Sequence, residues 1–434
     1  MNKRNHNFAL IKESGGIVEY RHKRNEMTVL LLENRSAPVV TFMVTYRVGS
    51  RNEAIGHTGS THLLEHLMFK GSNRFNKEDG TAIWNVLQDV GAMINATTWF
   101  DRTNYFELLP KEHLPRAIEI EADRMRGAFI RDDDRQSEMT VVRNEFERGE
   151  NDPWEALDKN IWATAYQAHP YHHSTIGWRS DIENVPTDRL KQFYDTFYWP
   201  NNATVSVIGD FETDETLALL EEQFGSIEKS PHEIPEMYTE EPRQEGPRRV
   251  MIKRAGEVPI VGIAHKMPAG ISDDTYPLQL LARILGHGKT SRFYRRFIDT
   301  GVAADVTVWS HPLHDNGLFI TYLFIAGDES CEEVERGILE EYESVSAKGV
   351  SDEETQRAKS QISAETAFTR DGTYSVASNL NEAIALGDWT FYTTFLDRIE
   401  SVTRKDVQRM AQTYLIEDQS TTGFFVPTSS GRAG

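Results

Sequence analysis

Two histidines and a glutamate fall within five residues, His62-Leu63-Leu64-Glu65-His66. The surrounding residues 59–69 have helical composition, and Ser60 or Thr61 can cap the start. On a helix, residues four apart share a face, so the imidazoles of His62 and His66 can reach one metal ion. Glu65 borders that face without being in line as a further ligand. A base acting on metal-activated water belongs there. The order reverses the H-E-x-x-H zinc motif.

A catalytic zinc site takes three protein ligands and keeps a position for water. The one cysteine, Cys331, excludes a thiolate cluster and an intrachain disulfide, so the third ligand must be His or carboxylate. Residues 135–150 are predicted as a helix carrying Glu138, Glu145, Glu147 and Glu150. Glu138 and Glu145 lie two turns apart on one face, while Glu147 and Glu150 point elsewhere. Any of these carboxylates could instead decorate a solvated helix surface, and spacing alone does not choose among them.

The elements that must hold these groups belong to a chain of 434 residues, a length that suggests two or three domains. Its composition, 39% hydrophobic and 26% charged, is that of a globular protein. No apolar run approaches the ~20 residues of a spanning helix; residues 302–308 and 318–326 suit strands. The basic start is followed by only four apolar residues, too few for a secretory signal, which predicts a cytoplasmic protein, or a periplasmic one if a signal has been removed. A net charge of −20 argues against nucleic-acid binding.

Residues 231–247 concentrate Pro and Glu and read as a linker between domains at 1–230 and 248–434. Both parts open alike. In the first, strands over 18–32 and 38–48 precede the His62 helix; in the second, strands over 249–253 and 259–266 precede a helix through Leu278, Leu281 and Leu285. This order predicts a duplicated α+β unit in which only the first copy carries metal-binding residues. Further helices are predicted over 81–90, 114–125, 153–168, 213–224, 332–347, 352–368 and 404–414, with strands over 92–98 and 103–109.

The pattern His62-Leu63-Leu64-Glu65-His66, followed 79 residues later by Glu145, resembles the pitrilysin/insulinase family of zinc metallopeptidases, in its two-domain processing-peptidase branch. The resemblance continues through residues 91–98, 170–177 and 200–210. It implies an α+β fold of two internally duplicated domains, each a mixed, largely antiparallel sheet with helices packed on one face, the second domain closing over the site. By the same resemblance His62, His66 and Glu145 hold Zn2+, Glu138 supports the site, Glu65 is the general base, and Asn95 and Ala96 lie on an edge strand that pairs with an extended peptide substrate.

One departure stands out. Family members that act alone present an Arg and a Tyr seven residues apart from the second domain. Here Arg292, Arg295 and Arg296 are followed seven residues on by Asp299, Val302 and Ala303. This implies a heteromer with a related subunit that lacks H-x-x-E-H, or else a homodimer. The alternative function is a catalytically silent assembly subunit of the same fold. Residues 286–290 lack the first glycine of a phosphate loop. His169, His172 and His173 flank a proline turn and suit a surface loop better than a second metal.

Overall fold

The structure is a computed structural model describing residues 7–428; the start, residues 1–6, lies outside them. The strands are β1 (Phe8–Ser14), β2 (Ile17–His22), β3 (Thr28–Glu33), β4 (Val39–Tyr46), β5 (Met93–Thr98), β6 (Thr103–Pro110), β7 (Ala203–Gly209), β8 (Arg248–Ala255), β9 (Ile260–Ala269), β10 (Ala303–His311), β11 (Asn316–Ile325) and β12 (Ser420–Thr428). The helices are α1 (Ser60–Leu67), α2 (Ile83–Gln88), α3 (Leu114–Gly127), α4 (Asp132–Asn151), α5 (Pro153–Ala165), α6 (Arg179–Asn184), α7 (Thr187–Phe197), α8 (Thr213–Phe224), α9 (Thr275–Gly286), α10 (Cys331–Lys348), α11 (Asp352–Thr369), α12 (Thr373–Leu386), α13 (Thr390–Ser401) and α14 (Arg404–Tyr414).

Two sheets form, in the orders β1-β2-β3-β7-β4-β6-β5 and β10-β11-β9-β12-β8. Read from β3 in the first sheet and from β8 in the second, β3-β7-β4-β6-β5 matches β8-β12-β9-β11-β10. The directions match as well: β3/β7 and β8/β12 are parallel, and the other equivalent pairs are antiparallel. The fold is therefore a duplicated α+β unit. The first copy extends its edge with the β1–β2 hairpin.

The predicted strand over 18–32 is two strands. Glu26 takes φ 63°. Asn25 stabilises the turn by donating Nδ2 to the carbonyls of Phe224 and Ile227 and accepting the Met27 N–H. The polar run Lys23-Arg24-Asn25-Glu26 marks this break in the sequence.

In the first unit β4 alternates. Val40, Phe42, Val44 and Tyr46 join a core with α1, α3, α4, α7 and α8. Met43, on the opposite face, packs with Leu30, Phe106 and Ile208 against Val376, Leu380 and Ile384 of α12. Thr41 and Thr45 bond to Thr373 and Asn381 on that side. The unit comprises residues up to Phe146, Ser174–Tyr238 and Phe368–Thr393. It thus takes a covering helix from beyond the 231–247 segment.

The second unit, Glu147–His173, Thr239–Ala367 and Thr394 onward, does the reciprocal thing. Helix α5, from before that segment, lies on β9 and β12. Gly262 and Gly423 make room for it: a Cβ at either would lie 2.4 or 2.6 Å from Ile161. The 231–247 boundary separates the two sheets but not their covering helices, because each sheet needs a second apolar layer that its own half does not supply.

Candidate metal centre and active site

Helix α1 follows β4 through a loop that ends at Gly59, whose φ is 83°. Leu63, Leu64 and Leu67 are buried and fix the helix on the core. The expected caps do not cap it. Ser60 Oγ donates to the His57 carbonyl and Thr61 Oγ1 to the Gly49 carbonyl. The carboxylate of Glu53 takes their place, accepting the N–H groups of Gly59 and Thr61. Burial pushes the Glu53 carboxyl up to about 8, and both oxygens keep a lone pair for these donors in either protonation state.

Helix α4 is anchored by buried Val142 and Phe146 and turns Glu138 and Glu145 toward α1. Glu145 Oε2 lies 3.8 Å from His62 Nε2 and 3.7 Å from His66 Nε2. One ligand atom from each of the three residues falls within 4.8 Å of the others. Donors about 2.0–2.1 Å from a tetrahedral zinc stand roughly 3.3 Å apart, so small side-chain rotations fit this set to the ion. The donor chemistry fits too. Burial, with His66 adding to it, lowers His62 to about 4 and keeps it neutral, the form that binds metal.

On the far side of its ring, His66 Nδ1 lies 2.9 Å from Glu138 Oε2. The other Glu138 oxygen pairs with Lys70. Burial acts to lower His66, but the Glu138 bond and the charges of Glu145 and Glu65 raise it on balance. The His66 bond, aided by Lys70, holds Glu138 below the usual carboxylate range against the pull of burial.

Glu65 is 8% exposed, and burial raises its carboxyl. Thr98, the last residue of β5, donates its hydroxyl to Glu65 Oε2. β5 is the edge strand of the first sheet and packs beside α1. Asn95 is exposed on it, and its Oδ1 accepts the N–H of Ala96, whose side chain is buried. Arg102 braces the strand end through the carbonyl and hydroxyl of Thr97. Thr98 lies in a stretch whose sequence resemblance was already legible. Glu53 carried no signal, since a glutamate seven residues before the first residue of a helix has no standard capping position.

In the second unit, Arg292 is a strut: its guanidinium binds Glu354, Glu341 and the Gly349 carbonyl. Arg296 pairs with Glu340. Arg295 is exposed. His169 pairs with Asp315 at 3.1 Å and accepts the Tyr171 N–H, so it serves its turn. Among the described residues no helix is long and apolar enough to cross a membrane.

Fold and grouping together define a class: duplicated α+β chains with an inverted H-x-x-E-H helix in the first copy. The family model for insulinase (peptidase family M16) matches residues 28–178, and that for the peptidase M16 inactive domain matches residues 184–362. The zinc protease PqqE of Helicobacter pylori is 30% identical over 404 residues, 91% of this chain and 89% of that protein. The crystal structure of a protease from Helicobacter pylori gives a TM-score of 0.89 at 27% identity, covering 98% of this chain and 100% of that one. A probable mitochondrial-processing peptidase subunit beta of Arabidopsis thaliana is 22% identical over 404 residues, 91% of this chain and 75% of that protein. The chain belongs to the insulinase (peptidase M16) family of zinc proteases.

Proposed function

We propose that this chain is a zinc-dependent endopeptidase that cleaves extended peptide segments. The observation that carries the proposal is the convergence of His62 Nε2 and His66 Nε2 on Glu145 Oε2, with Glu65 on the same helix and tied to an edge strand. In this reading His62, His66 and Glu145 hold the ion. Bound zinc supplies Lewis acidity to water and to the scissile carbonyl.

The remaining work falls to the chain's own residues. Thr98 occupies Glu65 Oε2, which leaves Oε1 to take a proton from the attacking water. As the water oxygen joins the carbonyl carbon and the C–N bond breaks, Glu65 returns that proton to the leaving amine. Glu138 orients His66 through its second ring nitrogen and acts by positioning. The open side of β5 offers backbone groups to a substrate strand near Asn95. Pairing at Ala96 requires the Asn95 side chain to release the N–H it now binds.

We further propose a partner. An exposed edge neither excludes water nor fixes a peptide, so a second surface must close over it. Engagement of Arg292 by two glutamates favours a related subunit as the source of the missing Arg and Tyr, and one relative is named as a subunit. The test is peptide hydrolysis by the zinc-loaded chain with and without sister subunits. Full activity from the isolated chain, unchanged by any partner, defeats the heteromer. Zinc binding without hydrolysis in any combination favours the silent assembly subunit.

A further inference from the structure

The first turn of α1 begins where a capping side chain has no room. At Gly59 a Cβ would lie 2.4 Å from the carbonyl oxygen of Ile176. At Gly177, φ 81°, a Cβ would lie 2.4 Å from the Gly59 nitrogen. The two glycines let a loop cross the helix start backbone to backbone. That crossing excludes the Ser, Thr, Asn or Asp that usually satisfies the first N–H groups of a helix.

Glu53 replaces the missing cap from six residues upstream. Its Oε2 accepts the Gly59 N–H at 2.8 Å and its Oε1 accepts the Thr61 N–H at 2.6 Å. The side chain is buried at 7% exposure. Helix α1 has eight residues, well below the roughly 12–15 at which an isolated helix becomes even marginally stable. Its first turn therefore depends on outside contacts, and that turn carries His62.

We infer that Glu53 is a positioning residue for the metal helix: it fixes the first turn of α1 and thereby holds His62 in register with His66 and Glu145. This rests on the metal reading proposed above. Glu53 reaches His62 through the first turn of α1, which it holds at Gly59 and Thr61. Asp181 provides the contrast, because it ties the same loop by accepting from Gly56 N, Thr58 N and Thr58 Oγ1 but takes no N–H from Gly59 or α1.

The test compares Glu53→Gln with Asp181→Asn in the full chain. Zinc affinity is measured by chelator competition, the ligand field by the visible spectrum of the cobalt-substituted protein, and kcat and KM on a quenched peptide. Glu53→Gln is expected to weaken zinc binding about ten- to a hundredfold, as supporting groups around metal ligands do, and to alter the cobalt spectrum. Its kcat falls while KM stays within about twofold. Asp181→Asn lowers the melting temperature and leaves zinc affinity near that of the parent. Equal zinc loss in both variants, or unchanged affinity in Glu53→Gln, overturns the inference.

Should Glu53→Gln fail to fold, amide exchange in the unmodified chain decides. Coupling is reciprocal, so zinc must slow exchange at Gly59 and Thr61. Unchanged exchange there overturns the inference. A parent chain that takes up no zinc defeats the metal reading itself and the inference with it, a result distinct from a zinc-loaded parent whose Glu53 variant is indifferent.

Discussion

His66 faces two carboxylates with its two ring nitrogens: Nδ1 lies 2.9 Å from Glu138 and Nε2 lies 3.7 Å from Glu145. The two glutamates sit two turns apart on α4, and one imidazole lies between them. Glu138→Gln keeps the shape but loses the charge that fixes the ring. Activity is expected to fall roughly tenfold or more, with zinc still bound at saturating metal. Glu145→Gln is expected to weaken zinc itself. Metal analysis of the two variants separates them, and the reverse pattern shows that the two roles have been exchanged.

Glu65→Gln removes the proposed base while leaving every proposed ligand in place. Thr98 can still donate to the amide oxygen. Turnover is expected to drop about 10²–10⁴-fold, the range for loss of a general base, at unchanged zinc content. Turnover near the parent rate rules out the assigned role.

In the core of the first unit, Arg124 is fully buried with Glu107 and Glu121 and packs against the rings of Phe69 and Tyr105. Arg124→Met leaves the buried Glu121 without its counter-charge, beside a Glu107 carboxyl that burial and the Glu121 charge already raise well above the usual carboxylate range. Breaking a buried pair costs about 3–5 kcal/mol, so the urea midpoint of the first unit is expected to fall sharply. A midpoint unchanged from the parent contradicts this account of the core.

His265, packed against Tyr342, is lowered to about 3 by burial. Its unfolded value is about 6.5. Because the folded value is the lower one, the unfolded chain binds a proton that the folded chain refuses below about pH 6.5. Stability is therefore present above that pH and is lost as pH falls toward 3, by up to ~1.4 kcal/mol per unit. His265→Leu is expected to flatten this part of the stability profile. An equally steep profile in the variant removes His265 from the explanation.

The candidate metal helix was legible because the grouping it proposes is local: His62, Glu65 and His66 are brought to one side by helical spacing alone. The two-turn spacing of Glu138 and Glu145 put both on one face of α4, and the family pattern, not spacing, separated their roles. The sheet order was half legible. The repeated strand-strand-helix opening foreshadowed the duplication, but the parallel pairing of β3 with β7 joins residues 28 and 204, and nothing local encodes that pairing. The exchanged helices were hidden for the same reason. Apolar residues such as Ile161 and Leu380 mark a buried face without naming the sheet that buries it. Ser60 and Thr61 are the capping types the local sequence offers, whereas the constraint on Gly59 comes from Ile176 across the fold.

The most direct test of the central claim is a single titration. The purified chain is stripped with a chelator, reconstituted with increasing zinc, and assayed at each step on a quenched extended peptide, with a related subunit present. Activity is predicted to rise linearly and to saturate at about one zinc per chain, with Glu65→Gln binding the same zinc and staying silent. Hydrolysis that is indifferent to zinc, or that survives intact in Glu65→Gln, contradicts the assignment of this site.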